Sequence, residues 1–181
     1  MKKLLCSLFA LSAVSTAMAQ EVNIKILGTS DIHGRVVPWS YGADVEDKSG
    51  SYAQIATYVK DVRKNNKNVV LVDVGDAIQD NQVDVFAKDK KYYKDHPIPK
   101  VLNEMKYDIF VLGNHEFNFG MKALDEILKD IKAKKLTANF YYKKNDKRYI
   151  DATTIIEKDG VKLGIIGLST PMSANVKQQK L

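Results

Sequence analysis

Three short polar clusters along the chain carry side chains that could bind metal ions. The first contains Asp31 and His33, the second Asp76, and the third Asn114 and His115. Carboxylate, imidazole and amide donors are hard or borderline ligands, which suit Mn, Zn, Fe or Mg better than soft copper. Glycines stand beside each cluster, and glycine permits the unusual dihedrals and close backbone approach that such a turn requires. The residue types therefore indicate a divalent metal site.

Two divalent ions at this site would suit the hydrolysis of a phosphoester. A carboxylate can bridge two cations, and Asp76, alone on its loop, is the natural candidate. Paired metals stabilise the attacking and leaving oxygens of an in-line phosphoryl displacement and lower the pKa of a bridging water. His115, next to Asn114, could protonate the leaving group or stabilise charge on the phosphoryl oxygens.

Each of these side chains also has a simpler interpretation. Asp31 could cap a turn, Asp76 could begin a helix, and His33 could be a surface histidine. Asn114 and His115 could form only a strand-end turn. The metal site is favoured because the clusters occur together, after three separate predicted strands.

The third histidine, His96, differs from the other two. It precedes Pro97 in a polar, basic stretch, and we expect it to be an exposed residue outside the site.

The predicted secondary structure places the three clusters at the ends of strands. Each cluster follows a predicted strand: 22–27, which alternates into an apolar run, and 68–74 and 109–112, which are typical of buried strands. Helical spacing of apolar residues predicts a helix after each strand, beginning near Tyr52, Pro97 and Met121. This alternation indicates an α/β domain with a largely parallel sheet. The loops beyond the carboxyl ends of such strands form a binding crevice, so we expect the clusters to converge there.

The later part of the chain adds shorter elements. Residues 136–140 are predicted to form a short strand. Residues 153–157 and 161–168 flank Lys158-Asp159-Gly160, which has the residue types of a hairpin turn. The polar stretches 36–50 and 79–96 are expected to be longer connections.

The first 19 residues are predicted to be a secretory signal peptide. A basic start, an apolar core and Ala17-Met18-Ala19 fit its three regions. We therefore expect an exported, periplasmic or extracellular protein without a stable membrane anchor, in which residues 20–181 form the folded part. The single cysteine, Cys6, would be removed with this peptide.

The charge pattern argues against nucleic acid as a partner. Removal of Lys2 and Lys3 from the 28 basic residues leaves 26 against 22 acidic residues, a net charge of +4. The basic residues are scattered and interleaved with acids, whereas a nucleic-acid binder would concentrate them on one face.

Four blocks of sequence resemble a known family. Asp31-Ile32-His33-Gly34 and the blocks at 75–79, 113–120 and 164–171 resemble those of the calcineurin-like metallophosphoesterases. The resemblance is strongest to the exported 5′-nucleotidase and 2′,3′-cyclic-nucleotide 2′-phosphodiesterase branch, and it runs from about Ile24 to Pro171. It implies an α/β fold that is the N-terminal part of a metallophosphoesterase β-sandwich flanked by helices, incomplete at the C-terminus.

The resemblance also implies roles for the cluster residues. Asp31 and His33 would bind the first of two divalent ions (Mn, Zn or Fe), Asp76 would bridge, and Asn114 would bind the second. His115 would act on the phosphoryl group.

Asn118 stands where the family's 5′-nucleotidases usually carry Asp to orient the catalytic histidine. Asn resembles the cyclic-nucleotide phosphodiesterases and favours such a substrate, within a wider class of nucleotides and other small phosphoesters.

The sequence departs from the family by lacking its later histidine blocks, because His33, His96 and His115 are its three histidines. We therefore expect a truncated form with little activity of its own, with an exposed sheet edge and exposed apolar surface. The alternatives are a non-catalytic exported module that binds metal or nucleotide, and a decayed reading frame whose product does not fold stably.

Overall fold

A four-stranded parallel sheet positions the polar clusters. The computed structural model of the protein describes residues 21–142 and 145–170. Its strands lie side by side in the order β1 (Lys25–Thr29), β4 (Val69–Asp73), β5 (Ile109–Val111) and β6 (Lys134–Leu136). Each pair of neighbouring strands is parallel.

The register of the sheet brings three strand ends to one edge. Thr29 of β1 pairs with Asp73 of β4, and Asp73 pairs with Phe110 of β5. The loops that follow these strands therefore leave the same edge side by side. These loops carry the three polar clusters, so the predicted convergence is confirmed.

Helices cover one face of the sheet. They are α1 (Tyr52–Asn65), α2 (Asp84–Lys88), α3 (Pro97–Glu104) and α4 (Met121–Asp130). The core between helices and sheet includes Leu71 and Phe110 of the strands, packed with Tyr52, Leu102 and Leu124 of the helices. Burying one such side chain contributes about 1.5–3 kcal/mol, so this layer supplies much of the stability of the domain.

Local signals explain where the first and third of these helices begin. The Ser51 side chain accepts a hydrogen bond from the Gln54 amide at 3.4 Å, as an N-cap residue does. Pro97 occupies the first position of α3, where its missing N–H costs nothing.

An antiparallel hairpin covers the other face. It consists of β7 (Thr153–Lys158) and β8 (Val161–Ile166). Ile156 and Ile165 pack against Ile109, Val111 and Leu136 of the parallel sheet. The hairpin is thus a second β-layer, and the predicted sandwich flanked by helices is confirmed.

Large apolar side chains are exposed on the outer face of this hairpin and next to it. Ile155, Ile166 and Leu168 are 67%, 66% and 69% exposed, and Ile26 on the edge strand β1 is 65% exposed. This is the exposed apolar surface expected from the sequence.

The two long connections contain regular structure that the sequence analysis did not predict. Within residues 36–50 lie the paired strands β2 (Trp39–Ser40) and β3 (Val45–Glu46). Residues 79–96 form α2 and two 3₁₀ turns, which bury Val83 and Tyr93.

The bounds predicted for the short strand at 136–140 are wrong, because the strand in this region is β6, which ends at Leu136. Beyond Leu136 the backbone leaves the parallel ladder, because Thr137 N donates to Asp151 O at 2.8 Å and Ala138 N donates to Gly167 O at 2.7 Å. The segments that flank the hairpin thus capture this part of the chain.

The prediction that His96 is exposed is wrong. The side chain is 1% exposed. Its Nδ1 accepts a hydrogen bond from Ile98 N at 3.4 Å, at the start of α3, and its Nε2 lies 3.3 Å from the carbonyl of Ile78. The prediction failed because it read only the polar neighbours of His96 in sequence, whereas the fold turns the ring inward as a helix cap.

The predicted signal peptide, residues 1–19, lies outside the described residues. Within the described parts of the chain, none of the helices is long and apolar enough to cross a membrane.

Candidate metal centre

The loop after β1 lies directly against the loop after β4. Asp31 N donates to Gly75 O at 3.1 Å, and His33 N donates to Asp76 O at 2.9 Å. Gly34 N then donates to the carbonyl of the residue after Asp76 at 3.0 Å. These bonds fix the first and second clusters relative to each other. Asp76 does not begin a helix, so that simpler interpretation is excluded.

Three predicted ligands have left-handed backbone conformations. The φ angles of Asp31, His33 and Asp76 are 53°, 49° and 57°. A non-glycine residue held in this region costs on the order of 1–3 kcal/mol, and such residues cluster at functional sites. The surrounding hydrogen bonds therefore hold these residues in conformations that the chain would not adopt by itself.

Glycine allows the third loop to pack against the second. A Cβ atom on Gly75 would lie 2.6 Å from Gly113 Cα, and one on Gly113 would lie 2.7 Å from Asp76 N. Only two residues without side chains allow the two backbones to approach this closely.

The buried carboxylate of Glu116 ties the same two loops together. It accepts hydrogen bonds from the backbone N–H groups of Gly113 at 2.7 Å, Asp76 at 2.8 Å and Ala77 at 2.7 Å. Burial raises the pKa of Glu116 to about 7, against the opposing effect of these three donors. Glu116 thus positions the loops, and it is 1% exposed, so it is not a ligand open to the cavity.

The loops bring metal-binding atoms together. His33, Asp76 and His115 each offer one donor atom, and the three atoms lie within 4.8 Å of one another. Asp76 Oδ1 also accepts a hydrogen bond from His115 N at 2.7 Å. Asp31 Oδ1 lies 3.9 Å from His33 Nε2. Asn114 is the residue between Gly113 and His115 on the third loop.

The chemistry of the donors fits a divalent cation. His33 Nδ1 is buried and has no hydrogen-bond partner. It lies 3.1 Å from Asp80 Oδ2, but the geometry of this contact is not that of a hydrogen bond. Imidazole nitrogens beside carboxylates form the mixed donor set that Mn, Zn and Fe accept.

A polar cavity adjoins two of the predicted ligands, Asp31 and His33. It has a volume of about 580 Å³, and its lining also includes Arg35 and Asp80. Ligand pockets commonly have volumes of about 300–1,000 Å³, so a small phosphoester would fit. Arg35 is held at the rim by Asp47, at 3.1 Å.

The chain matches the family model of calcineurin-like phosphoesterases over residues 24–174, which is most of its length. The chain belongs to the calcineurin-like phosphoesterases. Members of this family use two divalent metal ions, in agreement with the cofactors expected from the sequence.

Similar calcineurin-like phosphoesterases have names that refer to nucleotide esters. The trifunctional nucleotide phosphoesterase protein YfkN of Bacillus subtilis is 37% identical over 169 residues, which cover 84% of this chain and 11% of that protein. A 2′,3′-cyclic-nucleotide 2′-phosphodiesterase/3′-nucleotidase of Haemophilus influenzae is 32% identical over 179 residues, 91% of this chain and 27% of that protein. The snake venom 5′-nucleotidase of Naja atra is 35% identical over 155 residues, 81% of this chain and 28% of that protein.

The fold agrees with these relationships. The crystal structure of YfkN matches with a TM-score of 0.72 and 32% identity, over 82% of this chain and 48% of that chain. The chain spans about a quarter of the length of the phosphodiesterase and of the venom nucleotidase.

His115 contacts the residue predicted to orient it. Asn118 Nδ2 lies 2.8 Å from His115 Nδ1 and 2.6 Å from Gln79 Oε1. The rings of His115 and His33 meet edge to face, with centroids 5.2 Å apart. His115 therefore lies between its amide partner and the candidate metal ligands.

A buried polar network supports the site from below. Asp73 accepts hydrogen bonds from Thr29 Oγ1 at 2.7 Å, Tyr52 OH at 3.1 Å and Gly75 N at 2.9 Å. Burial raises the pKa of Asp73 to about 6, although these hydrogen bonds oppose the shift. The network joins β1, β4 and α1 directly beneath the Gly75 turn.

Sequence reasoning gave no role to Gln79, Asp80 or Glu116, and it overlooked Asp73. A signal existed for Asp73, since an acidic residue inside a run of β-branched residues is rarely buried without partners. No comparable local signal marks Gln79 or Asp80, because their roles depend on loops that meet only in the folded chain.

Proposed function

We propose that this protein hydrolyses nucleotide phosphoesters at a two-metal centre built on the three strand-end loops. The observation that carries the proposal is that one side-chain atom each of His33, Asp76 and His115 lie within 4.8 Å of one another, which brings two assigned ligands and the catalytic histidine into one site. The names of the related nucleotide phosphoesterases support the same substrate class.

The metal ligands are assigned to residues on all three loops. Asp31 and His33 would hold one cation, Asp76 would be shared by both, and Asn114 would contribute to the second. When bound, the two ions supply charge stabilisation of the phosphoryl group and activation of water. The chain holds these ligands in place through the backbone bonds between the first two loops and through Glu116, which joins the second loop to the third.

His115 supplies proton chemistry. Its Nδ1 is occupied by Asn118, so its Nε2 is the nitrogen left to meet a phosphoester oxygen. Donation of a hydrogen bond or a proton from Nε2 would stabilise charge on that oxygen and assist departure of the leaving group.

Asn118 favours a cyclic nucleotide over a nucleoside monophosphate as substrate. An amide orients His115 without the negative charge that a carboxylate would place beside the ring. The similarity to a 2′,3′-cyclic-nucleotide 2′-phosphodiesterase supports this preference.

For the 181 residues by themselves, we propose metal binding with negligible turnover. The chain has three histidines, and His96 is used as a helix cap. Asp31, His33, Asp76 and Asn114 then remain as the assigned ligands, too few to fill the coordination of two cations. The relatedness to hydrolases favours this view over a module that never took part in catalysis.

The experiment is hydrolysis of 2′,3′-cyclic AMP and of AMP, with added Mn²⁺ or Zn²⁺, by the protein that the complete reading frame encodes. We expect metal-dependent release of product, faster with the cyclic ester, and a loss of kcat of about 100-fold or more in His115→Ala. His115→Ala with undiminished activity would refute the assignment. Robust turnover by residues 20–181 alone would refute the proposal that they only bind metal.

We also propose that the protein is exported. The features of residues 1–19 support this, as does the similarity to a venom protein. N-terminal sequencing of the extracytoplasmic protein should begin at Gln20, and an uncleaved cytoplasmic protein would contradict it.

A further inference from the structure

A chain of side-chain hydrogen bonds leads from Asp80 towards His115. Gln79 Nε2 donates to Asp80 Oδ1 at 2.9 Å. An ionised carboxylate only accepts hydrogen bonds, so it must face the amino end of the Gln79 amide. The carbonyl end, Oε1, therefore faces the other way, towards Asn118.

The same reasoning fixes the orientation of Asn118. Gln79 Oε1 can only accept, and it lies 2.6 Å from Asn118 Nδ2. The amino end of Asn118 must therefore face Gln79. The second hydrogen of that amino group is directed to His115 Nδ1, at 2.8 Å. His115 Nδ1 then accepts, and the proton of the neutral ring resides on Nε2.

We propose that Gln79 is a positioning residue that selects the Nε2–H tautomer of His115 through Asn118. Asn118 could not select a tautomer by itself, because either end of its amide can meet Nδ1, one as donor and the other as acceptor. Gln79, anchored on Asp80, removes this ambiguity.

The proposal explains what changes when position 118 is Asn, as in this chain, instead of the Asp that the family's 5′-nucleotidases usually carry. A carboxylate there would accept a hydrogen bond and hold the proton on Nδ1, whereas the anchored amide holds it on Nε2. The tautomer itself follows from contacts among these residues. The use of this tautomer in catalysis rests on the proposed function, in which Nε2–H donates towards the phosphoester.

The test is a long-range ¹H–¹⁵N correlation spectrum of the full chain labelled with ¹⁵N-histidine, recorded at alkaline pH without added metal. Three histidines make the spectrum assignable with single substitutions. In the wild type we expect the Nε2–H pattern for His115. Gln79→Met, which keeps the length but lacks the amide, should give a mixture of tautomers. Gln79→Glu still accepts from Asn118 and should keep the wild-type pattern.

Gln82→Met is the matched control, because Gln82 is exposed on the same connection, and it should leave the His115 pattern unchanged. Asn118→Asp should convert His115 to the Nδ1–H pattern. An Nδ1–H pattern in the wild type, or an unchanged pattern in Gln79→Met, would overturn the proposal.

A second readout separates this proposal from the proposed function. In the protein that the complete reading frame encodes, Gln79→Met should lower kcat by about 10-fold with little change in KM, since only proton donation is affected. Gln82→Met should keep wild-type kinetics. If that protein hydrolyses no nucleotide ester, the proposed function fails, while the tautomer proposal is still decided by the spectrum.

Discussion

At the scale of single residues, His96 has a structural role that makes stability depend on pH. The ring is buried, and this burial lowers the pKa of His96 from 6.5 to about 4. Its Nδ1 must stay unprotonated to accept from Ile98 N. Between pH 4 and 6.5 the unfolded chain therefore binds more protons than the folded chain at this residue. The contribution of the neutral His96 ring to folding stability is therefore fully present above pH 6.5 and is lost as the pH falls towards 4.

We predict that His96→Asn flattens the pH dependence of stability. Asn can still cap α3 but does not titrate. From pH 7 down to pH 4 the wild type should lose up to about 3 kcal/mol more than the variant. Urea unfolding at several pH values measures the difference. Parallel pH profiles for the two proteins would show that His96 does not titrate as its burial implies.

At the scale of elements, the contact between the loops after β4 and β5 determines whether the site forms. We predict that Gly113→Ala destabilises the fold by about 1–3 kcal/mol, because the new methyl group would meet Asp76. It should also weaken Mn²⁺ binding, since Asp76 must move.

Gly164→Ala is the matched control for this substitution. It lies inside β8, and a Cβ there would meet nothing within 4 Å. Its urea midpoint and Mn²⁺ affinity should match the wild type. Equal effects of the two substitutions would mean that loss of glycine flexibility, rather than the contact with Asp76, is responsible.

The elements were predictable from the sequence to different degrees. The buried run of β4 and the apolar stripes of α1 and α4 are strong local patterns, and both the strand and the helices lie where they were expected. The convergence of the clusters followed from the rule for parallel sheets. The short pair β2–β3 and the bounds of β6 were not predictable, because partners distant in sequence decide them.

The same limit applies to the candidate site. Asp31, His33, Asp76, Asn114 and His115 could be identified because their types and spacing suggest metal chemistry. The residues that position them could not be identified in this way. Glu116 acts through the backbone of two loops and Gln79 through a neighbouring amide, and neither interaction leaves a pattern in the sequence.

At the scale of the whole molecule, the two β-layers predict that substitutions of two neighbouring isoleucines differ in their cost to stability. Ile156 packs on the parallel sheet, and Ile155 faces outward. Ile156→Thr should therefore cost about 1–3 kcal/mol of stability, and Ile155→Thr less than about 0.5 kcal/mol. Urea unfolding of the two variants provides the measurement, with each serving as the control for the other. Equal costs would contradict the layered arrangement.

The most direct test of the central claim is calorimetric titration of Mn²⁺ into the chain and into Asp76→Asn. The substitution keeps the size of the side chain but removes the charge assigned to bridge the metals. Asp61→Asn, on the solvent side of α1, is the control. We predict saturable binding in the wild type and the control, and affinity lower by about 10-fold or more in Asp76→Asn. Absence of saturable binding, or equal affinity in all three proteins, would contradict a metal centre on these loops.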